Sequence, residues 1–451
     1  MNRTLPLILT AALLLTACAS AVPAQPADAT TSPSAAASSP ALPDAAASSP
    51  SQPAAETSAP MLTPKFPVGH LLTLPQNQNS GPVWNTGDAL YELRDASNMT
   101  PEALVLKTDY AALTQSVYCD IPGCTHDSDA CPAYLASDFC VGVMAVDGTV
   151  YTYPGELTNV APTQIYRIDP AAGKTPVAAV PDALPHHMQL QWCDEYALYG
   201  CPLAASHQPG TLYRWDWQND TVQTIPMLAD EKIIACEGSR FLTIRIEANE
   251  PFPNFGSTEQ EKAILAHAVY VYAWLDPATG AREKICTRPY ADGYFHNYYD
   301  GRIYYTGNFR NADTPGQQAA LLYFDTADGT EKTLLDGIPL DTYVIDVCVP
   351  FSPAFAGVPQ RYLRVLNVGD AYADCLLDME TGDVLPAPAV TAEGVRRPAL
   401  LLACTASGQW LTTANPRDSY DPQYSLYALW DPADFLADGQ PAAWVTMYAT
   451  E

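Results

Sequence analysis

A short apolar-aromatic run ending in aspartate recurs along most of the chain, at Asp109, Asp169, Asp216, Asp276, Asp325, Asp378 and Asp431. The intervals are 60, 47, 60, 49, 53 and 53 residues. Typical examples are Ile165-Tyr166-Arg167-Ile168-Asp169 and Tyr427-Ala428-Leu429-Trp430-Asp431. Several of these aspartates open a turn closed by glycine, as in Asp169 to Gly173, Asp276 to Gly280, Asp325 to Gly329 and Asp378 to Gly382. An aspartate at the head of a turn can accept a hydrogen bond from its own backbone further on, so the recurrence needs no catalytic explanation. A second turn signal lies earlier in several units. Asp147-Gly148, Asp300-Gly301 and Ser407-Gly408 each lead into an alternating run, and Asp-Gly between such runs is a strong hairpin signal. No amphipathic helical stretch of ten or more residues stands out.

Each unit therefore reads as four strands in about fifty residues, the signature of a β-propeller. Every small sheet buries a face against its neighbour, and closing the ring leaves only short protected edges. The expectation is an all-β chain: a propeller of seven four-stranded blades, with boundaries near 81, 140, 187, 230, 290, 340 and 397. Six or eight blades are also compatible with the spacing, and a pair of stacked β-sandwiches is the rival architecture. The first unit shows only three clear strands between Ala89 and Tyr118, and Phe66–Leu74 would supply the fourth or close the ring against the last blade.

Twenty-two Lys and Arg against fifty Asp and Glu give a net charge of −28. Such a surface repels phosphate backbones, which argues against a nucleic-acid partner. Apolar residues are 48% of the chain, ample material for a core.

The N-terminus has a different character. Arg3 precedes an apolar run, Leu5 to Leu15, too short to span a bilayer. It ends in Leu15-Thr16-Ala17-Cys18, which resembles a bacterial lipobox. The resemblance implies that residues 1–17 are a signal peptide and that Cys18 becomes the lipidated, palmitate-type N-terminus. Residues 18–64 are then a disordered Ala/Ser/Pro/Thr tether, lacking the bulky apolar surface that would offset the entropy of ordering. Residues 65–451 form the propeller domain. These features predict a monomer on the extracellular face of the cell membrane, bound to the membrane through its lipid.

Between the first two units lies Cys119-Asp120-Ile121-Pro122-Gly123-Cys124-Thr125-His126, followed by Cys131-Pro132-Ala133-Tyr134. Three thiolates and an imidazole, from Cys119, Cys124, His126 and Cys131, make a complete ligand set for a structural zinc. Pro122-Gly123 would turn Cys124 back toward Cys119. The alternative is disulfide bonding among Cys119, Cys124, Cys131 and Cys140, the cysteines of an insert running over 119–140, which export makes reasonable. Cys193 and Cys201 could bridge a hairpin, and the remaining cysteines read as small buried hydrophobes. This insert, with the lipobox and the repeat, resembles the β-propeller surface lipoproteins of low-GC Gram-positive anaerobic bacteria.

Catalytic signatures are scarce: there is no Gly-x-Ser-x-Gly elbow, His-Glu-x-x-His or Walker loop. Tyr294, His296, Tyr298 and Tyr299 form the richest aromatic cluster, suited to stacking on sugars or gripping peptides but equally to sheet packing. His186-His187 and Arg396-Arg397 are weaker candidates, and the long insertions Glu247–Glu261, Asn311–Gln318 and Arg417–Gln423 are the best candidates for specificity loops. The reading is a non-enzymatic binder of a peptide, glycan or protein partner. A propeller-fold glycosidase or polysaccharide lyase is the first alternative, and an envelope scaffold or assembly factor the second.

Overall fold

The structure, a computed structural model, describes residues 64–74, 83–95, 102–136, 141–157, 164–202, 207–250, 258–290, 293–307, 318–339, 343–345, 361–367, 373–386, 389–392, 395–414, 426–437 and 439–448. The signal, the tether to residue 63, Cys140 and most of the three long loops lie outside them.

Among the described residues, seven antiparallel sheets follow one another, spanning 83–117, 141–179, 188–229, 232–289, 293–339, 343–386 and 400–444. Each is built on a meander of four strands in chain order, and a separate hairpin, Ala389–Ala392 with Val395–Pro398, precedes the seventh. Their first strands begin within three residues of the boundaries inferred from the repeat. Neighbouring sheets touch all the way round. The first three share one buried cluster that includes Leu104, Val143 and Leu190. Trp192 meets Phe241 edge-on at 5.5 Å, Trp274 meets Tyr298 at 5.5 Å, and Tyr362 meets Trp410 at 5.4 Å. The Tyr304 hydroxyl donates to the Met379 carbonyl (2.8 Å), and that of Tyr427 to Glu92 Oε2 (2.7 Å), returning from the seventh sheet to the first. The molecule is a β-propeller, not stacked sandwiches.

The recurrent aspartates end the third strand of each sheet, and six accept from backbone N–H groups of the turn they open. Oδ1 of Asp109 accepts from Ala112 (2.9 Å), that of Asp169 from Ala171 (3.0 Å), that of Asp216 from Asn219 (3.1 Å). Asp276, Asp325 and Asp378 bond Ala278, Ala327 and Glu380 in the same way. Asp147-Gly148 and Asp300-Gly301 have positive φ at both residues, the conformation of a type I′ hairpin turn.

In a four-strand meander the first-to-second and third-to-fourth connections share one end. These short turns therefore gather on one face of the ring; Ala406 N–H, for instance, bonds the Gly87 carbonyl across two of them (2.8 Å). The second-to-third connections leave from the opposite face, and all three long loops singled out in the sequence are of this kind. One of them carries a helix, Thr258–Leu265, too short to register as an amphipathic stretch.

The fate of residues 64–74 differs from expectation. The first sheet takes its fourth strand from Val83–Asn85. The segment Phe66–Leu74 neither joins that sheet nor meets the seventh; it is a strap wedged between the third and fourth. Lys65 N–H bonds the Ala278 carbonyl (3.0 Å) and Leu71 N–H the Gly238 carbonyl (2.7 Å), both in turns of the fourth sheet. Leu72 and Thr73 then pair with Cys193 and Trp192 on the inner edge of the third. The other end of that edge is covered by Glu156–Leu157. The physical cause is the set of buried partners beneath the strap. Arg214, fully buried, lies over the Phe66 ring (4.7 Å) and donates to the Pro67 carbonyl (3.2 Å). Buried Asp194 accepts from Gly69 N–H (3.1 Å), and Leu71 and Leu74 sink out of solvent.

Candidate metal centre

The cysteine–histidine insert interrupts the outer strand of the first sheet rather than joining two sheets. Thr114–Val117 pairs with one half of Ala103–Asp109, and Tyr134–Leu135 with the other half. Residues 118–133 bulge out between these two half-strands. Ile121 to Cys124 form a turn closed by Cys124 N–H on the Ile121 carbonyl (3.2 Å), with Pro122 second and Gly123 third at φ +74°. Only glycine takes that third position without strain, and proline pre-sets the second, so the dipeptide is the local reason Cys124 returns toward Cys119. His126 adopts φ +59°, and Cys131 N–H bonds the Ser128 carbonyl (2.9 Å).

The outcome is convergence. One ligand atom from each of Cys119, Cys124, His126 and Cys131 lies within 4.8 Å of all the others. Tetrahedral zinc at ~2.3 Å from sulfur and ~2.0 Å from nitrogen requires edges of about 3.5–3.8 Å, which small side-chain adjustments reach. His126 Nδ1 already stands 3.3 Å from Cys131 Sγ. Cys119, Cys124 and Cys131 carry free thiols. Burial pushes the Cys131 thiol up to about 12 and raises that of Cys119, whereas the His126 backbone N–H lowers that of Cys124. A coordinated divalent cation would override all three, because a ligating thiol is deprotonated outright. Cys131 is buried and the other three are half-buried; the three cysteines belong to the apolar cluster of the first sheets.

Lys174 was not singled out by the sequence. It reaches from the second sheet to bond Asp129 (2.8 Å) and the Tyr134 carbonyl, and the Asp120 N–H bonds the Pro170 carbonyl (2.7 Å). The knuckle thus leans on its neighbour. A lysine four residues beyond Pro170 carries no sequence signal for such a contact.

The other candidates do not converge with it. Tyr298 is buried against Trp274 of the fourth sheet, whereas half-buried Tyr299 donates to Glu380 of the sixth (3.1 Å). The side chains of Tyr294, His296, Arg396 and Arg397 lie outside the described residues. His186 and His187 are exposed. Cys193 and Cys201 are both free thiols and do not face each other: their partners across the hairpin are Leu198 and Gln189. Among the described residues, the knuckle is the one group of histidine, cysteine or acidic side chains with metal-site geometry.

No protein-family model and no curated protein matches the chain. Among solved structures it is similar to the acylaminoacyl peptidase of Pyrococcus horikoshii, with TM-score 0.42 and 12% identity over 81% of this chain. It spans about half of that longer protein, 51%. It is also similar to the β-propeller domain of the Trilobed protease from Pyrococcus furiosus, with TM-score 0.42, 9% identity, and 81% and 95% of the two chains covered. A third is an oligogalacturonate lyase in complex with manganese, with TM-score 0.37, 11% identity, and 83% and 85% covered.

Proposed function

We propose that this chain is a lipid-anchored propeller on the outer face of the cell membrane that binds a peptide, glycan or protein partner without transforming it. In this reading Cys119, Cys124, His126 and Cys131 hold a structural zinc. Four protein ligands leave no open position for an activated water, so the metal staples the outer strand and does no chemistry.

The observation that carries the reading is how the strap is seated. Residues 64–74 lie on the short-turn face of the ring, where Gly69 and His70 N–H groups bond Asp194 (3.1 Å) and Glu195 (2.8 Å). The chain then runs inward as a paired strand, so a pull from the membrane is borne by hydrogen bonds in shear. The opposite face carries the long connections, and loops on a rigid scaffold are where recognition residues concentrate. The carboxylates that close the turns are occupied in support of this reading: Asp378 by Arg361 (2.6 Å), Asp109 by Lys107 (2.9 Å), Asp216 by Arg214 (3.5 Å).

Cells producing the full chain and its Cys18→Ser variant test this directly. The wild type should fractionate with membranes and take up an alkynyl fatty acid, and the variant should appear in the medium. That soluble variant, applied to cell-wall glycan and to a peptide array, should bind saturably and leave the ligand intact. Unlabelled wild type in the medium would overturn the anchoring, and cleaved glycan or peptide would overturn the binding role.

A further inference from the structure

The strand that leads into the metal knuckle is also the surface on which the ring closes. Thr114–Val117 has four residues, and both its ends are spoken for. At its start the chain's own C-terminal tail docks in parallel: Thr446 bridges Thr114, its N–H bonds the Leu113 carbonyl (2.9 Å), and its carbonyl accepts from Gln115 N–H (2.8 Å). Buried Gln115 also accepts Tyr448 N–H on its side-chain oxygen (3.3 Å), and the Tyr448 carbonyl accepts from buried Arg94 (3.3 Å). At its other end, two residues beyond Val117, stands Cys119, whose N–H bonds the Val117 carbonyl (2.7 Å). Val117 and Cys131, with half-buried Cys119, Cys124 and Tyr448, belong to one apolar cluster.

We infer that the metal centre is a remote lock on ring closure: by fixing the far end of Thr114–Val117, it holds in register the strand to which residues 445–448 dock. This rests on the metal reading given above. Among the described residues, the seventh sheet takes all four of its strands from residues 400–444 and exchanges none across the seam. The tail and the contacts beneath it join the two sheets instead. A four-residue strand with alternating exposure has little cohesion of its own, since an isolated strand pair is marginal in water. Its interruption by residues 118–133 removes the continuity that would otherwise hold it along the full length of Ala103–Asp109. A metal joining Cys119 to Cys131 restores that continuity, because Cys131 lies three residues before the half-strand Tyr134–Leu135. Binding free energy at such a site becomes local folding free energy.

Hydrogen exchange read by mass spectrometry, on the soluble full-length Cys18→Ser chain under reducing conditions, tests the lock. Zinc-loaded protein is compared with protein stripped by a chelator, and zinc per chain is measured on the same samples. Chelation should raise exchange at least about tenfold in 113–118 and 443–448 as well as in 119–135, while the first two strands of the fifth sheet, 293–307, stay unchanged. Zinc add-back should restore protection. If zinc binds and leaves 443–448 indifferent to its presence, the lock is refuted and the metal site stands. If no zinc binds, the metal reading falls and the lock with it. Protection lost throughout, 293–307 included, also overturns the lock, because the metal would then sustain the whole fold rather than the seam.

Discussion

Asp194→Asn separates the strap from the turn beneath it. Asp194 Oδ1 accepts from the N–H groups of Tyr196 (2.8 Å) and Ala197 (2.7 Å), closing a turn of the third sheet. Oδ2 accepts from Gly69 N–H (3.1 Å) and the Tyr199 hydroxyl (2.7 Å), with the residue only 6% exposed. An asparagine that keeps its oxygen toward the turn presents an NH2 group to the two donors on the other side. The Tyr199 hydroxyl can rotate and accept; a backbone N–H cannot. The strap therefore exchanges a charge-assisted bond for a donor facing a donor, a loss of about 1.5–3 kcal/mol. That loss corresponds to about ten- to hundredfold faster exchange at 65–74, with 188–199 unchanged. Asp194→Ala orphans all four donors and should loosen both segments. Measured by hydrogen exchange on the soluble Cys18→Ser chain, equal protection of 65–74 in wild type and Asp194→Asn would refute this account of the strap. So would equal loosening of both segments by Asp194→Asn.

Three further outcomes follow from the same structure. Glu92, 4% exposed, pairs with Arg94 (2.8 Å) and receives the Tyr427 hydroxyl, so Glu92→Ala strands a buried guanidinium and should cost about 3–5 kcal/mol in chemical denaturation. A loss below about 1 kcal/mol would mean that the pair does not hold the seam. Burial pushes Tyr118, Tyr299 and Tyr304 up to about 12 from an ordinary 10.0. Their contribution to stability is thus complete below pH 10 and is lost as pH rises toward 12. Tyrosinate absorbance of the folded chain should lag behind that of the denatured chain, and coincident titrations would contradict the packing. A Cβ added at Gly200 would stand 2.3 Å from the Gln189 carbonyl oxygen, a backbone atom that cannot step aside. Gly200→Ala should therefore lower the denaturation midpoint markedly, and an unchanged midpoint would show that the hairpin is not so closely apposed.

What the sequence disclosed was local. Asp169 bonds Ala171 and Asp147-Gly148 turns on itself, so each repeat announces its turns within a few residues. The cysteine–histidine cluster was legible for the same reason, since its four residues span 119–131 and Pro122-Gly123 supplies the bend. The strap was not. Its bonds reach from Gly69 to Asp194, 125 residues away, and its paired strand has two residues, so no periodicity marks the destination. The split outer strand was hidden too: Thr114–Val117 and Tyr134–Leu135 look unrelated until Ala103–Asp109 pairs with both. Arg214 offered a clue in its place within Leu212-Tyr213-Arg214-Trp215, since a charge in an apolar strand needs buried partners. Tyr199, Gln223 and the Pro67 carbonyl are those partners, and only the fold assembles them.

X-ray absorption at the zinc edge on the purified soluble chain tests the metal-stapled propeller most directly. The account predicts about one zinc per chain with three sulfurs at ~2.3 Å and one nitrogen at ~2.0 Å, the sulfur shell shrinking when Cys131 is replaced by serine. A chain without stoichiometric zinc, or sulfurs joined pairwise at about 2.05 Å among Cys119, Cys124 and Cys131, would contradict it.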